Sequence, residues 1–256
     1  MNKKSVLLFL LFFFVAIFVF SAVNLLLVVR EYRQADALYQ QVQNEFVAVP
    51  PIDPTLTEQT EDVPKIETSG IAVDFDKLSA TNSDAIGWIY CADTPINYPV
   101  VQAADNSKYL HAGLDGKYLR SGTIFADYRN GEITTDRQLV LYGHSMKNKT
   151  MFGSLLEYKQ QAYYDAHPVW YYLTPDAEYR IELFAGCISK VADIIYRPNP
   201  DDVEYTAYIE KMRSRSTFDS DVEVSLEDTI VVLSTCSYEF DNARYVALGK
   251  LVKISE

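Results

Sequence analysis

One cysteine, one histidine and one arginine in this chain have the types and placement for acyl-transfer chemistry. Cys236 ends the run Thr229-Ile230-Val231-Val232-Leu233-Ser234-Thr235-Cys236, apolar enough to be a central strand that delivers its thiol at the strand's mouth. The chain turns through residues 237–242 and returns as Arg244-Tyr245-Val246-Ala247-Leu248. An antiparallel pairing of the two runs sets Arg244 beside Cys236, and period-two alternation puts Ser234 on the face that carries Cys236. His144 closes another strand-like run, Gln138-Leu139-Val140-Leu141-Tyr142-Gly143-His144, in which Gly143 permits close approach of backbone or substrate. A thiolate attacks a carbonyl, and an imidazole takes the thiol proton and returns it to a leaving amine. A guanidinium, charged at every working pH, holds the oxygen that becomes negative.

Each of these residues also has a plainer reading. A lone cysteine in a β-rich chain is commonly a small buried hydrophobe, the expectation for Cys91 and Cys187. His111, in a polar loop, and His167, before Pro168, read as loop-orienting residues, and Arg244 alone reads as an exposed strand charge. Spacing by itself leaves a cysteine nucleophile and these alternatives open.

The elements that must position the trio begin after Val73. Short runs rich in Val, Ile, Tyr and Phe occupy residues 87–91, 98–102, 122–128, 138–144, 169–174, 178–189, 229–237 and 244–254. Strands at that spacing predict a closed barrel or sandwich, and 19 Tyr with 13 Phe suit a β-rich domain. Thr174-Pro175-Asp176-Ala177 reads as a hairpin turn. Residues 151–164 and 201–215 have helical spacing instead, with Asp201 or Asp202 as a cap for the second.

Ahead of this domain, residues 5–29 are almost unbroken Leu, Val, Phe, Ile and Ala without a charge, long enough as a helix to cross a bilayer of ~30 Å. The run exceeds the apolar region of a cleaved signal peptide and no small-x-small site follows, so an uncleaved anchor is expected. Lys3 and Lys4 face Arg30 and Arg33 across it, so charge alone does not orient it. Tyr32, Ala35, Leu38, Tyr39, Val42 and Phe46 then mark an amphipathic helix over residues 31–49, either a stalk or a helix docked on the domain beyond. Pro50, Pro51, Pro54 and Pro64 among acidic residues mark a linker to about Gly70. The division expected is a tail of residues 1–4, a transmembrane helix of 5–29, a helical stalk and linker of 30–70, and a domain of 71–256.

Charge and cysteine usage narrow the function classes. With 23 basic against 35 acidic side chains the net charge is −12, which argues against nucleic acid as partner. Three scattered cysteines are too few for a disulfide scaffold, and no His or Cys pair has zinc-ligand spacing, so no metal and no cofactor is expected.

In order along the chain stand Gly87-Trp88-Ile89, Ile96-Asn97-Tyr98-Pro99-Val100-Val101-Gln102, Asp105-Asn106-Ser107-Lys108-Tyr109-Leu110 and Gly122-Thr123-Ile124-Phe125. Tyr142-Gly143-His144-Ser145-Met146, Met151-Phe152-Gly153 and Leu233-Ser234-Thr235-Cys236 with Arg244 follow. In these pieces, behind an apolar anchor, the sequence resembles a class B sortase from about residue 74 to 254. The resemblance implies a mainly β fold, an eight-stranded barrel with peripheral helices, one of them between the sixth and seventh strands. It implies a transpeptidase that cuts a C-terminal sorting signal of a secreted protein, keeps the acyl fragment as a thioester on Cys236, and passes it to an amine of a peptidoglycan precursor. By the same resemblance His144 is the general acid/base and Arg244 the oxyanion and substrate-positioning group, while Asn106, Leu110 and Ser234 line the peptide groove. Both substrates are extracytoplasmic, so the N-terminus is expected in the cytoplasm and the barrel outside. A hydrolytic cysteine peptidase, a non-catalytic binding barrel, and a mechanism with Asp241 as the base are the alternatives.

Overall fold

The computed structural model describes residues 3–49, 68–131, 135–193 and 198–255. They form two units, Met1–Gln41 and Val42–Glu256. Helix α1 (Lys3–Phe46) makes up the first, running without a break from the apolar stretch into the polar one. Its large apolar side chains between Leu7 and Val29 are exposed, and it is long and apolar enough to span a membrane. Asn24, a polar residue in the run, returns its Nδ2 to the Phe20 carbonyl one turn earlier (2.8 Å), which satisfies the amide inside the helix.

The last turn of α1 belongs to the second unit. Val42 and Phe46 are buried there, Gln43 donates to the Asn97 carbonyl at 2.8 Å, and Glu45 pairs with Lys77 at 3.2 Å. The expected helix to residue 49 ends instead at Phe46, because Val47 and Ala48 leave it as a short strand. This strand, β1 (Val47–Ala48), pairs with β2 (Ala72–Val73). Most of the proline-rich linker, residues 50–67, lies outside the described residues. A helix that sequence periodicity did not indicate, α2 (Phe75–Thr81), follows; Asp74 caps it by accepting from the Lys77 amide at 2.9 Å.

Eight strands then close a barrel: β3 (Ala85–Tyr90), β4 (Asn97–Val101), β5 (Ile124–Ala126), β6 (Gln138–Tyr142), β7 (Val169–Leu173), β8 (Glu178–Lys190), β9 (Ile230–Cys236) and β10 (Ala243–Ser255). Their order around the barrel is β10-β8-β7-β3-β4-β5-β6-β9. Each of the eight expected runs is a strand, and closure selects the barrel over the sandwich. Pairs are antiparallel except β4 with β5 and β6 with β9. The β7–β8 hairpin turns where expected, with the Thr174 amide and hydroxyl both reaching the Ala177 carbonyl (2.9 and 3.0 Å).

The stretch 151–164 is not one helix. A 3₁₀ segment, Gly153–Lys159, stops at Gln160, whose backbone is extended, and α3 (Gln161–Ala166) starts afresh. Packing overrides the periodicity: Trp170 donates to the Tyr158 hydroxyl at 2.6 Å, which donates to the His167 carbonyl at 2.7 Å, and this fixes the turn on the barrel. By contrast α4 (Asp202–Arg213) lies between the sixth and seventh barrel strands as expected, capped by Asp201 on the Glu204 amide at 2.9 Å.

The packing of α4 shows how the site is left open. Tyr205, Tyr208, Ile209 and Met212 bury themselves against Val140 of β6, Phe184 and Cys187 of β8, Ile230 and Val232 of β9, and Val246 and Leu248 of β10. At ~1.5–3 kcal/mol per buried large side chain this contact is a principal stabiliser of that flank. Alternation places Tyr142, Ser234, Cys236 and Arg244 further along the same outer face of β6, β9 and β10. The opposite face, with Leu139, Leu141, Val231, Leu233, Tyr245 and Ala247, is buried throughout. Helix α4 therefore covers one stretch of a continuous face, and beyond its cover Tyr142, Cys236 and Arg244 on the same strands are partly exposed.

Candidate active site

The site starts from two strand pairings. In the antiparallel β9–β10 pair, Cys236 stands directly opposite Arg244, a placement that brings Cβ atoms to ~4.5–5.5 Å. In the parallel β6–β9 pair, Tyr142 stands opposite Ser234. Beyond the end of β6 the alignment continues, since the Gly143 amide donates to the Ser234 carbonyl (3.2 Å) and Thr235 Oγ1 donates to the Gly143 carbonyl (2.8 Å). His144 is the next residue, so the two strands deliver imidazole and thiol side by side. Gly143 is needed for packing rather than for substrate approach: a Cβ there would lie 2.5 Å from Ile124 Cδ1 and 2.7 Å from the Phe152 ring.

The imidazole has a defined tautomer. His144 Nε2 lies 2.7 Å from the carbonyl oxygen of Leu110, at the end of the 3₁₀ turn Lys108–Leu110. A carbonyl only accepts, so Nε2 carries the proton and Nδ1 is left with its lone pair. Burial depresses the proton affinity of His144 below that of an ordinary histidine; the Leu110 carbonyl opposes this and the neighbouring His111 reinforces it. The rings of His111 and His144 stack, with centroids 5.6 Å apart and planes 20° from parallel.

Cys236 is a free, half-buried cysteine, and the Arg244 guanidinium donates to the Ala243 carbonyl at 3.0 Å. Both line a cavity of about 340 Å³ together with His144, and Asn106, Leu110 and Ser234 line it too, so all six residues singled out from the sequence meet in one place. Ser234 is 2% exposed and its hydroxyl has no hydrogen-bond partner among the described residues. Asp241 is exposed in the β9–β10 turn and does not line the cavity. Cys91 and Cys187 are buried, as expected: burial pushes the Cys91 thiol up to about 12, and Cys187 packs on the Met212 sulfur at 3.4 Å. His167 fits its loop reading, bonded through Nδ1 to the Tyr163 carbonyl at 3.1 Å.

The rest of the lining was not anticipated: beside Gly143 it consists of Phe125, Arg129, Tyr142, Val191 and Thr235. Behind them Asp127, 1% exposed, accepts from Arg129 Nε and Nη2 (both 2.7 Å), the Tyr142 hydroxyl (2.7 Å), Asn106 Nδ2 (3.0 Å) and the Arg129 amide (3.0 Å). Burial pushes this carboxyl up, but the donors together outweigh burial and hold it at about 2. Asn106 is fixed at both ends, since its Oδ1 accepts from the Tyr128 amide at 2.9 Å. An Asp and an Arg two residues apart at a strand end is the only sequence trace of this arrangement, and it is a common one.

No protein-family model matches the chain. Among curated proteins it is 33% identical to sortase B of Listeria monocytogenes over 220 residues, covering 84% of this chain and 87% of that protein. Among solved structures it superposes on sortase B from Bacillus anthracis with a TM-score of 0.72 and 34% identity, over 88% of this chain and 99% of that one. A Staphylococcus aureus sortase B–substrate complex matches with a TM-score of 0.67 and 32% identity, over 71% and 85% of the two chains. Identity at this level across most of both chains, on the same closed barrel, makes this chain a member of the sortase B family and a sortase-type cysteine transpeptidase.

Proposed function

We propose that the chain is a membrane-anchored transpeptidase that takes a C-terminal sorting signal of a secreted protein and joins the shortened protein to an amine of a peptidoglycan precursor. The observation that carries this reading is the convergence of Cys236, Arg244 and His144 on one open cavity. Cys236 Sγ attacks the carbonyl carbon of the scissile amide while its proton passes to the free Nδ1 of His144, Nε2 being held by Leu110. Because burial favours the neutral imidazole, the base is ready at neutral pH and the thiol proton moves during attack. The Arg244 guanidinium faces the oxygen that gains negative charge in the tetrahedral intermediate. Collapse expels the amine, which takes the proton from His144, and the acyl group remains as a thioester. The acceptor amine then attacks the thioester, gives its surplus proton through His144 to the departing sulfur, and leaves the new amide.

Asn106, Leu110 and Ser234 are the groove contacts in this reading. The unpartnered Ser234 hydroxyl suits a backbone or side-chain amide of an extended peptide, and a relative solved with its substrate supports a peptide in the groove. Helix α1 serves as the anchor, with its N-terminus in the cytoplasm and the barrel outside, because both substrates are extracytoplasmic.

The test offers full-length protein a library of pentapeptide signals and reads the Cys236 adduct by mass spectrometry, then adds an oligoglycine or diamino-acid amine. The expected result is an acyl adduct for one signal class and an amide-linked product when amine is present. Cys236→Ala abolishes both, along with labelling by a thiol-directed probe. Turnover that survives Cys236→Ala, or release of free acid alone in the presence of amine, defeats the proposal.

A further inference from the structure

His111 is an exposed residue that the activity described above does not use, yet its side chain lies against the face of His144. It follows directly on Leu110, whose carbonyl holds His144 Nε2. The chain thus grips the catalytic imidazole twice from consecutive residues, once in the ring plane through a carbonyl and once on the ring face through a second imidazole. The ring of Tyr118 also lies near His111, 6.0 Å away and 31° from parallel. The stretch that carries both rings is pinned from beneath: the Leu119 amide donates to the His111 carbonyl at 2.9 Å, and Ala112 pairs with Tyr118.

We propose that His111 is a positioning residue for His144: stacked on its face, it fixes the plane of the imidazole and resists its protonation. This rests on the acid/base role given to His144 above. The first half follows from steric restraint. One hydrogen bond leaves a ring free to swing about that bond, and a parallel ring against its face removes the freedom. The second half follows from charge. A histidine is the side chain that changes charge near neutral pH, and a proton on His111 places a positive charge against the ring that must stay neutral to accept the thiol proton. The other charged or titratable groups on the same cavity are Cys236 on β9, Arg244 on β10, Tyr142 on β6 and Arg129, the last two both bonded to the Asp127 carboxylate. His111 is the group stacked on the ring itself, so substituting it isolates its contribution. A positive charge on His111 makes a proton on His144 harder to hold, so removing His111 moves the His144 transition to higher pH.

The experiment uses full-length protein in lipid nanodiscs, labelled with ¹⁵N-histidine. The chain has 3 His, so the imidazole spectrum is simple. His111→Phe keeps a flat ring on the stack and removes the charge, whereas His111→Ala removes both. In both variants the His144 resonance should titrate as a single site at higher pH than in the parent, and the acid limb of kcat for thioester formation should move with it. His111→Ala should also lose several-fold in kcat, and His111→Phe should retain more of it. A His144 titration and acid limb identical in parent and both variants overturn the charge effect. A kcat equal in His111→Ala and His111→Phe overturns the positioning effect. Turnover that survives His144→Ala instead overturns the acid/base role, and leaves the measured coupling between the two rings standing by itself.

Discussion

The two walls of the cavity are held by opposite means. On one wall the His144 imidazole is half-buried and kept by a single 2.7 Å bond to a carbonyl and a stacked ring. On the other, the Asp127 carboxylate is almost fully buried and accepts five hydrogen bonds, four of them from three side chains that line the cavity. The difference follows from what each group must do. A group that exchanges protons in every cycle needs one nitrogen unencumbered and both protonation states within reach. A group that only holds shape gains from every donor, since each further donor deepens the charged state and fixes one more neighbour. One wall is therefore tuned for change and the other against it.

Removing His144 tests the first half of that comparison and has the largest expected effect. His144→Ala should lower kcat for thioester formation by ~10²–10⁴-fold, the usual contribution of a general acid/base. It should change stability by less than about 1 kcal/mol, because the ring makes one side-chain hydrogen bond and is partly exposed. In the parent, burial places the acid limb of the pH profile below that of an ordinary histidine, and the variant should lack that limb. Rates from pH 5 to 9 beside a urea melt check both. A large stability loss with a small kinetic one would reverse the roles assigned to the walls.

Asp127→Asn should show the opposite balance. It keeps the shape but gives up charge-assisted bonds to Arg129, Tyr142 and Asn106, and leaves a guanidinium without its counter-charge. A loss of ~1–3 kcal/mol in unfolding free energy is expected, discounted because the Arg129 side chain is 39% exposed. The freed Asn106, Arg129 and Tyr142 should raise KM for the peptide more than they lower kcat. The pH dependence has a definite sign. A carboxyl held at about 2 in the folded chain and near its ordinary 3.8 in the unfolded one stabilises the fold above the higher value. That stability is lost as pH falls from there through about 2. The acid limb of the stability profile should be shallower in Asp127→Asn, and equal slopes would show that the carboxylate does not hold the wall.

How much of this was legible in the sequence follows the range of the interactions. All eight barrel strands could be read because strand signals are local: alternation, β-branched and aromatic content, and turn residues such as Thr174-Pro175. Cys236 and Arg244 could be paired because the hairpin between them is short, and Ser234 because it shares their strand. His144 joins them through a parallel β6–β9 pairing between distant parts of the chain, and parallel pairings leave no local mark; its strand end and its chemistry singled it out, and the family resemblance implied its role. Asp127, Arg129 and His111 were missed for a related reason. Asp127 and His111 work through partners far along the chain, Asp127 with Tyr142 and Asn106 and His111 with His144, and Arg129 joins the wall only through Asp127; a polar residue in a loop looks the same in sequence whether solvated or buried in a network. The stretch 151–164 failed in the other direction, where good helical periodicity lost to the hydrogen bonds that tie Tyr158 to Trp170 and His167.

A smaller test probes whether the exposed side of the site is held at all. The loop between Cys236 and Arg244 is fastened through Glu239, whose carboxylate accepts from Lys159 on the 3₁₀ segment and from the Ser237 hydroxyl. These two partners hold the Glu239 carboxyl at about 2. Lys159 and Glu239 are 29% and 35% exposed, and solvent screens a pair of that kind to ~0.2–1 kcal/mol. Glu239→Gln should therefore cost less than about 1 kcal/mol, and less still at high salt, while releasing a loop whose two ends are the nucleophile and the arginine. The kinetic consequence should exceed the thermodynamic one, as a modest fall in kcat with KM little changed, because both strand ends shift together while Asp127 and its wall stay in place. Lys159→Met should reproduce it, and the double variant should be no worse than either single one, since the two side chains act as one contact. Additive effects in that cycle would mean that Glu239 and Lys159 act separately, and that the loop is held by its short turn alone.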